Sequence, residues 1–439
     1  MSQPTILRGR VLSFLSEPGG LHDTASYRYL EDGAITIIDG TIVAVGDYAD
    51  ADLANATIID HRPHLIMPGF IDAHLHYVQS QMIASYAASL LEWLNTYTFV
   101  EEQKFSQQGH AGMVASAFYD ELIRNGTTTA AAYCSSHPAS VDAFFSEAAR
   151  RNMLMIGGKV MMDRNAPPAL CDTAQSGYDD TKALIGRWHG QGRALYAISP
   201  RFAITSTPAQ MEAAQALVAE FPDCYVQTHL SENDAEITFS MELYPEAPDY
   251  TGIYEHYGLL GRKTLLGHCI HLNHRETRVL AETGAVAVFC PTSNLFLGSG
   301  LFDRERLAIA GVNVAVATDI GGGTSYSMLR TMDEGYKVLQ LRGQRLTPLN
   351  SFYMMTLGNA RALSLEGTIG SIAPGKAADL VVLDAGATPA MALRMATVTS
   401  LVEELFLLQT LGDDRSIAEV YVAGTRQKST LGGLAIRLA

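Results

Sequence analysis

The stretch Pro68-Gly69-Phe70-Ile71-Asp72-Ala73-His74-Leu75-His76 decides how the rest of this sequence is interpreted. An apolar run typical of a β-strand, residues 65–71, leads into a His-x-His pair. Side chains two residues apart lie on the same face of a strand, so His74 and His76 are expected to point the same way. Two imidazoles directed at one point predict a metal site, and zinc is the usual occupant of such a site. Two histidines at a polar strand end are the alternative that this motif alone leaves open.

Three more ionisable side chains occupy an equivalent position further along the chain. His229, His268 and Asp319 each end a short apolar run that is a strand candidate. Polar groups from the ends of separate strands meet when the strands are parallel and their carboxyl ends share one edge. The recurrence therefore favours one polar site assembled from several strand ends.

Strand and helix patterns alternate after residue 66. The strand candidates are residues 65–76, 127–134, 153–161, 194–202, 224–230, 264–272, 286–294 and 313–320. Several are continuous apolar runs, as expected of strands buried on both faces. Helix patterns lie between them, for example at residues 112–124, 140–151 and 207–220. The pattern predicts an α/β fold, a (β/α)₈ barrel of the TIM type. A doubly wound open sheet is the alternative, but it explains less well why five strand ends carry ionisable groups.

The two ends of the chain have a different pattern from the middle. They contain β runs separated by turn signals such as Asp39-Gly40, and the runs are residues 34–46, 378–383 and 418–425. We expect residues 1–66 and 367–439 to pair into one small β-sandwich domain that flanks a barrel domain of residues 67–366.

Composition limits the class of protein. The chain has 439 residues, of which 47% are hydrophobic and 18% charged, and this balance is typical of a soluble globular protein. With a formal net charge of −15 and no cluster of Lys and Arg, a nucleic-acid surface is not expected. No run reaches the roughly 18 to 20 apolar residues that a membrane-spanning helix requires.

Cysteine usage and the first residues predict the compartment. The five cysteines are widely spaced and form no Cys-x-x-Cys motif, so reduced, buried thiols are expected. Reduced thiols favour the cytoplasm. Arg8 and Arg10 interrupt the only apolar patch of residues 1–20, which therefore make a poor signal peptide.

The strand-end groups have the chemistry of a mononuclear zinc site. Three nitrogens and one oxygen would bind a single Zn²⁺, with water completing the shell. These expected metal ligands are His74, His76, His229 and Asp319. Bound zinc lowers the pKa of its water to about 7. No lysine at the end of the fourth strand candidate offers a bridging group, so we expect one zinc per chain.

Two further groups are candidates for moving protons. Glu232 lies three residues after His229, where the chain leaves the strand, and is the candidate general acid/base. A carboxylate that stabilises the start of the next helix is the alternative for Glu232. We expect His268 to hydrogen-bond the attacking water or a developing oxyanion rather than to be a fourth nitrogen ligand.

The motifs taken together resemble the amidohydrolase superfamily. The resemblance rests on the His-x-His stretch, on the His and Asp residues that end later strands, and on a closing block at residues 374–381. Longer blocks are similar to the guanine deaminase family within it. These blocks are residues 76–79, 90–95, 200–203, 229–233, 290–300 and 318–325.

The resemblance implies a reaction and a set of residues. It implies zinc-dependent hydrolytic deamination of guanine to xanthine and ammonia in purine catabolism, with Glu232, His268 and Asp319 as catalytic groups. It also implies that Gln79, Arg201 and Phe202 hold the purine, although in isolation Arg201 could be a surface ion pair and Phe202 a core residue. Trp93 is either a hydrophobic lid over the substrate or a core residue. By family analogy the chain is expected to form a homodimer.

Two alternatives to guanine deamination stay open at this point. A related amidohydrolase that deaminates another purine, a pterin or a triazine would keep the zinc ligands but not Gln79 and Arg201. A catalytically inactive homologue with a structural role is the second alternative, and the complete set of ionisable groups argues against it.

Overall fold

Eight parallel strands form a nearly closed barrel in the computed structural model, which describes residues 3–86 and 90–431. In chain order, strands 1 to 8 of the barrel are Phe70–His76, Thr127–Tyr133, Leu154–Gly158, Ala194–Pro200, Tyr225–Leu230, Thr264–His268, Val286–Phe289 and Asn313–Val316. A short strand, Val160–Met161, also pairs with strand 4. Most residues of these strands are buried, as their continuous apolar sequences predict. The predicted (β/α)₈ barrel is confirmed.

Side-chain hydrogen bonds and a few backbone hydrogen bonds, rather than a continuous strand ladder, close the barrel between strand 1 and the end of strand 8. Asn359 donates hydrogen bonds to the carbonyl oxygens of Ile71 and Val316, at 2.6 and 2.8 Å, and accepts one from the Val316 N–H at 2.9 Å. Asp72 accepts from the N–H of Thr318 at 3.1 Å and from its hydroxyl at 2.5 Å. These buried hydrogen bonds fix the position of strand 1 relative to strand 8. Candidate metal ligands lie on strand 1 and just after strand 8.

Helices surround the barrel and fill its connections. The α-helices are Leu90–Trp93, Phe99–Glu102, Gln108–Arg124, Pro138–Arg151, Ala174–Trp188, Pro208–Glu220, Asp234–Leu243, Tyr250–His256, His274–Thr283, Pro291–Phe296, Arg304–Ile309, Met328–Leu341, Pro348–Tyr353, Asn359–Ala362, Pro389–Met395 and Leu401–Leu411. Two π-helical turns are Leu94–Thr98 and Met354–Gly358. Among the described residues, every helix is too short or too polar to cross a membrane.

The two ends of the chain, predicted to pair into a small β-sandwich, form one seven-stranded mixed sheet. In spatial order its strands are Thr425–Arg426, Ile417–Val422, Leu380–Leu383, Thr57–Pro68, Thr5–Phe14, Tyr27–Ile38 and Thr41–Asp47. Asp39 and Gly40 form the predicted hairpin turn, with φ of 48° and 77°. The sheet curls until the Ala378 N–H donates to the Gly40 carbonyl oxygen at 2.8 Å, and an apolar core lies inside the curl.

The predicted strand 65–76 is wrong in one respect, because it is two strands in two sheets. Thr57–Pro68 belongs to the terminal sheet and Phe70–His76 to the barrel. The break lies at Gly69, where a Cβ would be 2.2 Å from the Thr128 hydroxyl oxygen. This close approach lets the chain pass directly from one sheet to the other.

Other segments also differ from the prediction. Strand candidates 264–272 and 313–320 extend four residues beyond the strands Thr264–His268 and Asn313–Val316, and candidate 153–161 is two strands, Leu154–Gly158 and Val160–Met161. Residues 286–294 are not one strand, since strand 7 ends at Phe289 and the helix Pro291–Phe296 follows. The C-terminal segment also contains helices between its strands, and one of them, Leu401–Leu411, packs against Met328–Leu341. The division into domains stays a prediction, with limits at 1–66, 67–366 and 367–439.

Candidate active site

One pocket at the carboxyl end of the barrel gathers nearly all the side chains that the sequence singled out. Those that line it are His76, Gln79, Trp93, Arg201, Phe202, His229, Glu232, His268 and Asp319. His74 is buried beside them, with its ring centroid 4.9 Å from that of His229. The pocket lies where the strands end, which is where (β/α)₈ enzymes hold their reacting groups.

Four side chains that the sequence predicts to be metal ligands lie close together here. Nε2 of His76 lies 3.2 Å from Nε2 of His229 and 3.6 Å from Oδ1 of Asp319, and Nε2 of His74 lies 3.4 Å from the same oxygen. His229 Nδ1 lies 2.7 Å from the Arg201 carbonyl oxygen. The carbonyl can only accept, so Nδ1 carries the proton and Nε2 presents its lone pair to the cluster.

The electrostatics of this set suit a cation. Burial lowers the pKa of His74, His76 and His229, which keeps the three imidazoles neutral. Burial alone would raise the pKa of Asp319, but His74 and His268 hold it below its ordinary value. Nε2 of His74 is buried without a hydrogen-bond partner among the described residues. Three neutral imidazoles and a carboxylate, with Nε2 of His74 and Nδ1 of His76 both unpaired in the described part of the chain, are a donor set of the kind that binds Zn²⁺.

Local backbone geometry aims these groups inward. His268 and Asp319 have left-handed backbones, with φ of 75° and 52°, which is rare for residues with a side chain. The Asp319 N–H donates to the His74 carbonyl oxygen at 2.9 Å, so the strained residue is tied to strand 1. Gly267 leaves room for the His74 ring, since a Cβ there would lie 2.7 Å from its Cε1.

His268 borders both the metal ligands and the acid/base candidate. Its Nε2 lies 3.8 Å from Oδ2 of Asp319 and 3.3 Å from Oε2 of Glu232, and its Nδ1 lies 2.9 Å from Oδ1 of Asn294. A further group of possible ligands joins His268 and Asp319 to Cys290. Burial raises the pKa of the Cys290 thiol well above its ordinary value, so the thiol stays protonated and is a poor ligand.

Glu232 faces the pocket and does not cap the following helix. Its Oε1 accepts a hydrogen bond from the Ser299 hydroxyl at 2.7 Å, and burial raises its pKa. The helix Asp234–Leu243 is capped instead by Asn233 and Glu236, whose side chains each accept a hydrogen bond from the backbone. Glu236 also accepts from the Glu232 N–H at 2.7 Å. A buried carboxyl group with a raised pKa next to a histidine can exchange protons with a bound molecule.

Two other polar residues of the pocket, Gln79 and Arg201, share a partner that the sequence did not reveal. Gln79 Nε2 donates to Oε1 of Glu102 at 2.9 Å, and Arg201 Nη1 lies 2.9 and 2.8 Å from the two Glu102 oxygens. Arg201 therefore forms a buried ion pair with Glu102, not a surface ion pair. Phe202 lies beside this edge, its ring centroid 6.3 Å from that of His229.

Trp93 combines the two roles that the sequence left open. It lines the pocket and also packs in an apolar cluster with Leu90, Leu94 and Phe202. The residues that sequence analysis missed are Glu102, Glu236, Asn294 and Ser299.

Comparison with known proteins places the chain in a family. The profile described as Amidohydrolase family matches residues 65–426. Guanine deaminase of Escherichia coli (strain K12) is 48% identical over 403 residues, which cover 91% of this chain and 92% of that protein. A probable guanine deaminase of Deinococcus radiodurans is 38% identical over 429 residues, covering 95% of this chain and 97% of that protein.

Solved structures agree with this relationship. The structure of E. coli guanine deaminase superposes with a TM-score of 0.94 at 46% identity, covering 96% of this chain and 99% of that one. Guanine deaminase from C. acetobutylicum, crystallised with guanine bound in its active site, gives a TM-score of 0.86 at 29% identity and covers 96% of this chain and 99% of its own.

Proposed function

This chain belongs to the amidohydrolase family, and on that premise we propose that it hydrolyses guanine to xanthine and ammonia with one zinc ion per chain. The observation that carries the proposal is the composition of the pocket. The same pocket is lined by the candidate metal ligands His76, His229 and Asp319, by Glu232 and His268, and by Gln79 and Arg201. The similarity to proteins named guanine deaminase supports guanine as the substrate.

The metal would be held by His74, His76, His229 and Asp319. When bound, zinc supplies Lewis acidity that makes a water molecule a strong nucleophile near neutral pH. The lone pair that His229 presents and the unpaired Nε2 of His74 support this assignment. The imidazole of His268 also lies close to those of His74 and His229, but we assign it to hydrogen bonding with the attacking water rather than to the metal.

Glu232 and His268 would then carry the protons of the reaction. Hydrolysis forms a C2–O bond and breaks the C2–N bond of the exocyclic amine. One proton of the water ends on ring nitrogen N3 and the other on the amine, which leaves as ammonia. Glu232 takes a proton that comes from the water, delivers it to N3 and then helps to protonate the leaving amine. His268 and Asp319 orient the water and help to deprotonate it. The raised pKa of Glu232 supports this role, because a proton shuttle must both hold and release its proton.

Gln79, Arg201 and Phe202 would recognise the base. Guanine presents acceptors at O6 and N7 and donors at N1 and N2. A guanidinium only donates, so Arg201 suits O6, while an amide can complement either kind of group. Phe202 and Trp93 supply apolar surface to the flat ring.

We also propose that the enzyme works in the cytoplasm as a homodimer. All five cysteines are free, and four of them are buried, which supports a reducing compartment. Size-exclusion chromatography with light scattering would measure the mass in solution, and a monomer would contradict the dimer.

A substrate panel tests the proposed reaction. Ammonia release is measured with guanine, adenine, a pterin and a triazine, and metal content is measured on the same samples. We expect one zinc per chain, turnover of guanine, and loss of activity on chelation. Adenine should be a very poor substrate, since its amine at C6 would face the donors of Arg201, and unpaired buried groups cost about 1 to 3 kcal/mol each.

The variant Arg201→Met separates recognition from metal binding. It should impair guanine turnover while zinc content stays near one per chain. Equal rates on guanine and adenine, or unchanged guanine kinetics in this variant, would contradict the assignment of the purine edge. Two metals per active chain would contradict the mononuclear site.

A further inference from the structure

We propose that Glu102 determines purine specificity by fixing the orientation of the two side chains that recognise the base. This inference rests on the proposed function, since it names the group that sets how Gln79 and Arg201 present their hydrogen-bonding atoms. Glu102 has no exposed surface. It is not one of the described residues that line the pocket. It is therefore a positioning residue that acts through its partners.

The contacts of Glu102 leave the Gln79 amide one orientation. An ionised carboxylate only accepts hydrogen bonds, so the Gln79 group that lies 2.9 Å from Glu102 Oε1 must be the amide NH₂. The Gln79 carbonyl oxygen then points the other way, where the Gly321 N–H approaches it at 3.4 Å. With the NH₂ group held by Glu102, the carbonyl oxygen keeps a second lone pair that can complement the N1–H or N2–H₂ donors of guanine.

The same carboxylate sets the Arg201 guanidinium. Nη1 of Arg201 contacts both Glu102 oxygens, at 2.9 and 2.8 Å, so Glu102 engages one end of the fork and leaves the other N–H groups to donate elsewhere. The centroid of the Phe99 ring lies 5.6 Å from the Arg201 guanidinium carbon, so this ring adds a second contact to the same group. Arg201 is thus held as a donor next to a fixed acceptor, the pattern that matches O6 beside N1–H.

Charge balance is the second consequence. Arg201 and Glu102 are 3% and 0% exposed, so the pair places one positive and one negative charge in a low-dielectric region. The recognition edge is neutral overall, which suits a neutral base. Without Glu102, Arg201 would present an uncompensated charge and would favour anionic ligands.

The backbone of Glu102 is anchored independently of its side chain. Its carbonyl oxygen accepts a hydrogen bond from the Ser135 hydroxyl at 3.1 Å, just after strand 2 of the barrel. The segment that encloses the pocket, from Leu90 to Ser106, therefore contributes both apolar cover and the group that orients the polar edge. A substitution of the Glu102 side chain leaves this anchor in place.

Two inhibitors that cannot release ammonia test the proposal. Hypoxanthine has both O6 and N1–H, whereas purine lacks both groups. The two compounds also lack an amine at C2. Their inhibition constants are measured against guanine turnover, and the ratio of the purine constant to the hypoxanthine constant reports recognition of the O6/N1 edge. We expect Glu102→Gln to lower this ratio at least tenfold, because an amide in place of the carboxylate sets donor against donor. A purely structural defect would weaken both inhibitors equally and leave the ratio unchanged.

Two other variants keep the test decisive. Glu101→Gln is the matched control: Glu101 is the adjacent carboxylate, pairs with Lys104 at 2.6 Å, and should leave the ratio at the wild-type value. Glu102→Asp keeps the buried charge pair, so it folds even where Glu102→Gln does not, and its shorter side chain should also lower the ratio.

The outcomes distinguish this inference from the proposed function. If the wild-type enzyme releases ammonia from guanine but the ratio is unchanged in Glu102→Asp and in folded Glu102→Gln, the positioning role is overturned and the deaminase activity stands. If the wild-type enzyme does not act on guanine, the proposed function fails and this inference fails with it.

Discussion

Replacing Glu232 with glutamine would remove the proton shuttle while keeping its surroundings. The Ser299 hydroxyl can still donate to the glutamine carbonyl oxygen, as it now donates to Oε1 of Glu232 at 2.7 Å. The amide NH₂ would face Nε2 of His268, which lies 3.3 Å from Oε2. The variant should therefore fold, and its zinc content should match that of the wild-type enzyme.

The expected loss of rate follows from the chemistry of the lost group. A positioned acid/base group contributes about 10² to 10⁴ in rate. At 1.36 kcal/mol for each factor of ten, the barrier rises by about 3 to 5 kcal/mol. Because the geometry around Glu232 is retained, we expect kcat to fall and KM to change little.

The pH profile provides a second measurement of the same variant. Only ionised Glu232 can accept a proton from water, and burial raises its pKa. Activity of the wild-type enzyme should therefore fall as the pH drops through this raised pKa, and Glu232→Gln should lose that acid limb. Glu242→Gln, an exposed carboxylate in the next helix, is the control for the change in net charge. A Glu232→Gln enzyme with its metal bound and near-wild-type kcat would refute the reasoning.

Two further predictions concern stability. Asn359→Ala should lower the free energy of unfolding by about 3 kcal/mol, because it leaves three buried backbone groups of strands 1 and 8 unpaired. Denaturant titration measures this loss, with Asn95→Ala at an exposed site as the control. A loss below about 1 kcal/mol would contradict the role of Asn359 in closing the barrel. Glu236 has a pKa raised from 4.5 to about 7 by burial and by the charge of Glu232. The native state then binds this proton more tightly than the unfolded state, so its contribution to stability is full below pH 4.5 and is lost as the pH rises to about 7. Glu236→Gln should flatten that part of the pH–stability curve, and an unchanged slope would show that another group is responsible.

Much of the fold was predictable because burial shapes the sequence directly. Strands buried on both faces are continuous apolar runs, and the Asp39-Gly40 turn has the residues that a tight hairpin requires. The wrong limits occur where tertiary packing decides. Nothing local distinguishes residues 65–68 from 70–71, yet contact between Gly69 and Thr128 assigns them to different sheets.

The candidate site divides in the same way. Histidines and an aspartate at strand ends stand out from apolar surroundings, and the structure brings them into one pocket. Glu102 does not stand out, because it follows Glu101 and precedes Lys104 in a stretch that reads as a solvated helix surface. Its burial depends on Arg201, which lies 99 residues away in the sequence. Asn294 and Ser299 lie inside residues 290–300, one of the blocks that resemble the guanine deaminase family. The resemblance could therefore have identified them as candidate site residues.

The way the barrel closes has a consequence for the order of synthesis. The hydrogen bond of Asp72 with Thr318 cannot form until 246 further residues have been synthesised, and that of Ile71 with Asn359 requires 288 further residues. The strand Thr57–Pro68 likewise lacks one neighbour until Leu380–Leu383 has emerged from the ribosome. Contacts of such long sequence separation form late and slowly. A nascent chain halted before residue 380 therefore carries an apolar strand edge with free backbone groups, which is a template for pairing with another chain.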